Sequence, residues 1–427
     1  MGALDSYLDD PGVSRLLSDC YGDRSRAEIS RRFSTALERL EGLVRPDRLQ
    51  PARFVSTPGR SELGGNHTDH NNGTVVAASI EVDALAAVAP RDDGRIELRS
   101  KGFDRLFSVD LEHLEATAEE GGTQALLRGV TARCKELGYR IGGFSAYLDS
   151  HVLPGSGMSS SAAVEVLLGT IISSLYNDDA ISAVELAKIG RYAENVYMRK
   201  PCGLMDQIAC AHGGVVAIDF GDPDDPAVTG IKLDLHEHGY ELAIVDTGGS
   251  HADLTDEYAA VPREMARVAA LFGQGELRGI SEEQLLQAAP RIRREAGDRA
   301  LLRALHFVEE SPRAGEEAEA LRRGDFERFL ELVRRSGSSS WRFLQNCVTP
   351  GDPEDQPLAL GIAVAERLLG NAGAARVHGG GFAGTLQAFV PREAVAIFTE
   401  GMESLFGEDC VTTTGIRSAG TVAFPPL

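Results

Sequence analysis

Apolar positions in this chain recur at two spacings, and the spacing changes from stretch to stretch. Over residues 27–43 they fall three and four apart (Ile29, Phe33, Ala36, Leu37, Leu40) among Arg and Glu, the pattern of an amphipathic helix. Residues 3–50 as a whole read as a helical packing arm with no chemistry in it. Residues 53–57 predict a short strand, and Pro58-Gly59 a turn after it. Residues 74–89 are long and apolar, broken only by Glu81 and Asp83, and predict strands or a strand pair. A strand pair follows at 95–100 and 106–111, a helix at 124–137, a strand at 144–152 and a helix at 162–175. Residues 182–197 predict another helix, with Ser182 and Glu185 spaced as a capping box. A helix starts near 204–207, and residues 213–220 read as a strand.

The polar run 221–226 (Gly-Asp-Pro-Asp-Asp-Pro) has turn residues and no period, and so predicts a domain boundary. A strand resumes at 241–245. Residues 254–272 and 281–333 are mostly helical, with Arg and Glu four apart on a solvated face. Residues 357–369 form a helix opened by Pro. Strand, glycine loop and strand follow at 374–377, 379–384 and 385–390, then a helix at 392–406 and a last short strand.

Composition narrows what this framework does. The 427 residues are 43% hydrophobic and 25% charged, ordinary for a globular protein and enough for two domains. The net charge of −21 argues against a nucleic-acid groove as the main function. It does not argue against anion binding through backbone amides and a cation. The six cysteines form no CxxC pair and read as structural thiols of a reduced compartment. The N-terminus lacks a signal-peptide pattern, and no apolar run approaches the ~20 residues of a membrane helix. A cytoplasmic protein is expected, without membrane or nucleic-acid partners.

Four stretches carry candidate chemistry. In residues 153–163, small residues stand between a strand and a helix, so a polyanion can reach bare amides at the positive helix end. The plainer reading is a tight turn with a Ser cap. It is neither a Walker A loop nor a GxGxxG motif. In residues 60–73, Arg60, Glu62, Asn66, His67, Asp69, His70 and two further Asn crowd a glycine-rich stretch. It offers donors and acceptors at many angles, as sugar recognition needs; a polar loop with Asx turns and a weak His67/His70 metal site are the other readings. Glu194 and Asp206 can divide between holding Mg²⁺ and orienting a hydroxyl, or can be a solvated face and a helix cap. The glycines of 379–384 imply a close approach to a neighbouring element or a ligand, or a simple loop. Tyr258 and His251 are individually ordinary.

Taken together and in order, these stretches resemble the GHMP kinases, and within them the galactokinase group. Residues 59–73 are similar to GRVNLIGEHTDYNGG. Gly157-Met158-Ser159-Ser160-Ser161-Ala162 is close to GLSSSA. Ala193-Glu194-Asn195 with 202–207 resembles AEN…CGIMDQ, and 376–384 resembles the third, glycine-rich motif. The resemblance implies an α+β, two-domain GHMP kinase fold, with a ribosomal protein S5 domain 2-like N-terminal domain and a ferredoxin-like C-terminal domain. Residues 1–226 would hold the sugar loop and the ATP loop, residues 227–427 a helical insertion, and the active site would lie in the cleft between domains.

It further implies Asp206 as the catalytic carboxylate, either general base or orienting group, and Arg60 as the partner that stabilises transferring charge. Sugar contacts fall on Asn66, His67, Thr68, Asp69 and Tyr258. ATP phosphates fall on Gly155, Ser156, Gly157, Met158, Ser159, Ser160 and Ser161, and Mg²⁺ on Ser161 and Glu194. The expected activity is ATP- and Mg²⁺-dependent phosphorylation of the anomeric hydroxyl of a monosaccharide, galactose first, by a monomer or weak homodimer. The departures matter. Asn66 replaces a Glu, and Ser61-Glu62, Gly64, His70 and Asn72 replace Val-Asn, Ile, Tyr and Gly. Loss of the Glu charge admits a sugar altered at C6, such as galacturonate, arabinose or a deoxy sugar. A catalytically silent sugar sensor and a kinase for a non-sugar alcohol are the other readings.

Overall fold

The structure, a computed structural model, describes residues 2–22, 24–44, 52–117, 121–152, 155, 157–200, 202–249 and 254–427. Its framework is two sheets with helices around them. The first sheet contains, in chain order, β1 (Arg53–Gly64), β2 (Thr74–Arg91), β3 (Arg95–Ser100), β4 (Leu106–Asp110), β5 (Gly143–Ser150), β6 (Val215–Asp219) and β7 (Ala227–Ile231). The second is antiparallel throughout: β8 (Tyr240–Asp246), β9 (Ala374–Val377), β10 (Thr385–Pro391) and β11 (Val411–Thr414), in the order β11-β8-β10-β9. The last strand, β12 (Val422–Ala423), returns to the first sheet beside β1.

β2 is a single 18-residue strand rather than a pair. Its length lets it serve two neighbours along one edge. Residues 74–78 pair with β6, and residues 84–91 pair with β5. Along the other edge it pairs with β1 almost end to end, interrupted by register shifts between Pro58 and Arg60 and between Glu62 and Gly64. β1 therefore does not stop before the Pro58-Gly59 pair. Pro58 still pairs with Asp83, the shift that follows takes up its extra residues on β2, and the strand carries Arg60 and Glu62 onward.

The helices of the first half are α1 (Gly2–Leu8), α2 (Pro11–Tyr21), α3 (Arg26–Glu41), α4 (Gly122–Glu136), α5 (Ser160–Tyr176), α6 (Ala183–Tyr192) and α7 (Met205–His212). The first three cover one patch of the sheet through Phe33, which meets Phe54 and Phe424 at 4.6 and 5.5 Å between ring centres. α5 is almost wholly buried. The expected helix over 182–197 ends at Tyr192. A wider turn, Ala193–Tyr197, follows, with Met198 N–H donating to Ala193 O at 3.1 Å, five residues back. Such a turn rotates the next side chains off the helix face, and here it turns Glu194 inward. The second half adds α8 (Thr255–Ala270), α9 (Glu282–Glu295), α10 (Asp298–Arg322), α11 (Phe326–Ser339), α12 (Pro357–Leu369) and α13 (Val395–Phe406).

The polar run 221–226, expected to divide the domains, is the turn of the β6–β7 hairpin inside the first sheet, where Asp219 pairs with Ala227. A turn rich in Gly, Asp and Pro has the same composition whether it joins strands or domains. The change of sheet comes after β7, and β12 belongs to the first sheet again. Among the described residues, no helix is long and apolar enough to cross a membrane.

Candidate active site

The site assembles where β1 meets the start of α5. Gly59 is required there, because a Cβ would lie 2.9 Å from Met158 O and 3.2 Å from the Val152 methyls. With that approach open, Arg60 N–H donates to Met158 O at 3.2 Å, fastening the turn to the strand. Ser159 takes the left-handed conformation, φ 60°, just before α5 begins. Its hydroxyl reaches Asp206 Oδ2.

Asp206, in the first turn of α7, is gripped in a bidentate pair by Arg60: Nε to Oδ1 at 2.7 Å and NH2 to Oδ2 at 2.9 Å. The remaining guanidinium nitrogen donates to Gly157 O at 2.5 Å. Burial alone would push the Asp206 carboxyl up, but the Arg60 charge and hydrogen bonds, with that of Ser159, hold it below the ordinary carboxylate value. A carboxylate so held is ionised at neutral pH and weakly basic.

Two cavities meet at this pair. One of about 810 Å³ is lined by Glu62, His67, Asp69, Tyr258 and Arg263. The other, of about 460 Å³, is lined by Gly155, Gly157, Ser159, Ser160, Ser161 and Glu194. Arg60, Lys200, Cys202, Asp206, Gly379 and Gly380 line both. A molecule in each would have its end against Asp206. Beside the second cavity, Ser161 Oγ donates to Glu194 Oε1 at 2.9 Å, and Lys200 Nζ approaches the same oxygen at 2.7 Å. An ammonium thus rests on the oxygen, beside the hydroxyl, that a divalent cation would take, so this donor set suits one. Behind Glu194 lies Glu165, pushed well above the ordinary carboxyl range by burial and by the Glu194 charge. Gln207 Nε2 bridges the two at 2.9 and 3.3 Å.

The sequence-predicted site residues divide. Asp206, Arg60, His67, Asp69 and Tyr258 line the larger cavity. Gly155, Gly157, Ser159, Ser160, Ser161 and Glu194 line the smaller. Met158 is buried beneath the turn, and Ser156 lies outside the described residues, as does His251. His67 Nε2 meets Gly380 O at 2.9 Å, and burial lowers its pKa to about 4, so the ring is neutral. Tyr258 OH donates to Gly381 O at 2.7 Å. A Cβ at Gly203 would overlap Asp69 Oδ2, so any side chain there would displace the Asp69 carboxylate.

Asn66 and Thr68 are not brought to the cavity. Thr68 is fully buried and its hydroxyl is within 2.8 Å of Gly65 O and Thr74 O, closing the loop on itself. Asn66 is fully buried too. Its Nδ2 donates to Glu62 Oε1 at 2.9 Å and Gly379 O at 2.8 Å, and its Oδ1 accepts from Asn346 Nδ2 at 2.8 Å. An Asn there has every polar atom engaged by protein, so the expectation of an altered C6 contact through Asn66 has no geometry behind it. The motif reading missed Glu62, Lys200, Glu165 and Gln207 as site residues. Glu62 had a signal, since it stands two residues from Arg60 and would share its face if the strand ran on.

Comparison with known proteins gives the same picture. A sequence model for the GHMP kinases N terminal domain matches residues 125–214, and one for the galactokinase galactose-binding signature matches residues 47–90. The galactokinase of Streptomyces coelicolor is 34% identical over 365 residues, 84% of this chain and 89% of that protein. The galactokinase of Glaesserella parasuis is 31% identical, over 85% of this chain and 90% of that one. Among solved structures, Lactococcus lactis galactokinase complexed with galactose superposes with a TM-score of 0.78, at 23% identity, covering 91% of this chain and 99% of that chain. A mevalonate kinase superposes with a TM-score of 0.61 at 16% identity, covering 85% of this chain and 98% of that one. The two-sheet α+β architecture is that of these kinases.

Proposed function

From the premise that the chain belongs to the galactokinases of the GHMP kinase family and is an ATP-dependent sugar kinase, we propose that it converts galactose to galactose 1-phosphate with Mg²⁺·ATP. The observation that carries this is the Arg60–Asp206 pair standing at the seam of two cavities, one suited to a polyol and one floored by small residues and amides. Galactose occupies the larger cavity with its anomeric hydroxyl against Asp206. The nucleotide's phosphates occupy the smaller, over the Gly155–Ser161 turn.

Asp206, ionised and weakly basic, chiefly orients the hydroxyl for in-line attack and takes the proton late, once the oxygen has begun to bond to phosphorus. Arg60 keeps that carboxylate fixed and offsets charge developing on the transferred group. Ser161 and Glu194 would hold Mg²⁺, which would neutralise phosphate charge, and Lys200, beside Glu194, would add positive charge near the phosphates.

A coupled ADP-release assay over galactose, glucose, galacturonate and arabinose tests the reading. Galactose gives the highest kcat/KM, and Asp206→Ala abolishes turnover while ATP binding stays near wild type. Preference for another sugar would overturn the substrate. Near-normal turnover by the Ala variant would overturn the role of Asp206.

A further inference from the structure

Two departures in the sugar loop are reciprocal. Where the resembling signature runs Asn, then Glu four residues later, this chain has Glu62 and then Asn66. The structure shows the consequence. Asn66 is sealed, while Glu62, only 3% exposed, lines the larger cavity. Both protein contacts to the Glu62 carboxylate fall on Oε1, from Asn66 Nδ2 at 2.9 Å and Arg376 NH2 at 2.8 Å. Oε2 accepts no hydrogen bond from the described residues, yet it is not among the atoms sealed from solvent. A buried carboxylate with one oxygen saturated and the other open to a cavity has an acceptor left for a ligand.

Its position is set by β1. Residues 60, 61 and 62 pair without a break with 79, 78 and 77, so Arg60 and Glu62 project from the same face about 7 Å apart. Arg60 grips Asp206, where the reacting oxygen lies. One pleat further on is the distance at which a hydroxyl across a pyranose ring arrives.

We propose that Glu62, through Oε2, is the specificity-determining acceptor for one hydroxyl of the sugar on the side of the ring away from the reacting oxygen. This rests on the sugar-kinase reading above and adds the residue that selects the sugar. The group recognised is a neutral hydroxyl, which donates to Oε2. A uronate's carboxylate at that point offers Oε2 no proton and sets one acceptor against another.

Glu62→Gln is the direct test. Two donors face Oε1, so the amide oxygen stays there and the NH2 group turns into the cavity, replacing an acceptor by a donor. Steady-state kcat/KM is measured for wild type and variant on galactose, its 2-, 3-, 4- and 6-deoxy analogues, and galacturonate. Wild type discriminates strongly against one deoxy analogue. The Gln variant loses roughly 10-fold or more on galactose, mainly through KM, because the acceptor for that hydroxyl is gone and a donor faces it instead. It also loses discrimination at that one hydroxyl while keeping it at the others, and its galacturonate-to-galactose ratio rises. A structural role for Glu62 would depress all substrates together.

If the Gln variant is unstable, Glu62→Asp decides, because it keeps the carboxylate and withdraws it by one methylene. Its discrimination at that one hydroxyl weakens while that at the others stays if the carboxylate is the reader, and an unchanged panel overturns the proposal. A wild type that prefers galactose beside a Gln variant with an unchanged panel overturns this proposal alone. A wild type inert toward every sugar overturns the galactose reading and this one with it.

Discussion

At the scale of single residues, the site is a contest between burial and pairing. Asp206 sits where burial raises a carboxyl pKa, and Arg60 and Ser159 reverse the sign. Removing Arg60 leaves burial in command, so Arg60→Ala moves the Asp206 pKa upward. A depressed folded pKa keeps the group ionised well into acid, and a raised one shifts its protonation toward neutral pH. The acid limb of kcat/KM therefore moves to higher pH in Arg60→Ala, and turnover at pH 7 falls by about 10²- to 10³-fold, the usual cost of one charge-stabilising donor. A pH–rate profile with its limb where wild type has it would refute this account of Asp206. Both residues were legible in the sequence because each lies inside an ordered motif. Glu62 was legible as a departure from the motif and by its place two residues from Arg60. Lys200 gave no signal, since a lysine after a helix is ordinary until Glu194 is seen beneath it.

At the scale of elements, the helical arm was foreseen from its period but not its anchor. Asp83 is a charge in the middle of an apolar strand, and it is fully buried. Tyr21 OH donates to it at 2.9 Å, the Ser56 hydroxyl and Arg32 reach it, and Arg417 NH1 lies 3.5 Å away. One carboxylate thus ties α2, α3, β1 and the returning tail to β2, which no local pattern announces because the partners span almost the whole chain. Burial would raise its pKa, but Arg32 first and then Arg417 lower it from 3.8 to about 2. The sign follows from that depression. The stabilisation is complete above the unfolded value and is lost as pH falls from there through about 2, a matter of ~2 kcal/mol. Asp83→Asn leaves Arg32 and Arg417 without their counter-charge and costs ~3–5 kcal/mol at pH 7. Denaturant titrations of both proteins should show that gap narrowing between pH 5 and pH 3. A gap independent of pH would mean that the charge of Asp83 is not what holds the arm.

At the scale of the whole molecule, composition and motif order were enough for the fold class, two sheets with a site between them. They were not enough for the point where the chain leaves the first sheet, nor for the two-residue return of β12. What joins the sheets is also non-local. Arg376 of β9 is fully buried and reaches across to β1, donating to Glu62 Oε1 at 2.8 Å and Leu63 O at 2.9 Å, while Gln387 of β10 donates to Glu62 O at 2.6 Å. A substrate cleft formed by two sheets keeps its width only if such contacts hold, and a buried ion pair holds by geometry rather than by net stability. That asymmetry makes a double-mutant cycle informative. Arg376→Met strands the Glu62 carboxylate in a buried site and lowers stability by ~3–5 kcal/mol. Glu62→Gln strands the guanidinium by a smaller amount, because the amide oxygen still accepts from it. The double variant removes both charges and should lie clearly above the sum of the two losses, with a coupling of ~1–3 kcal/mol in thermal or chemical unfolding. The same cycle read as KM for galactose separates stability from recognition: the double variant regains stability without regaining the sugar's acceptor. Additive losses would mean that the two sheets are held at this point by packing alone, and that the cleft's width does not depend on the Arg376–Glu62 pair.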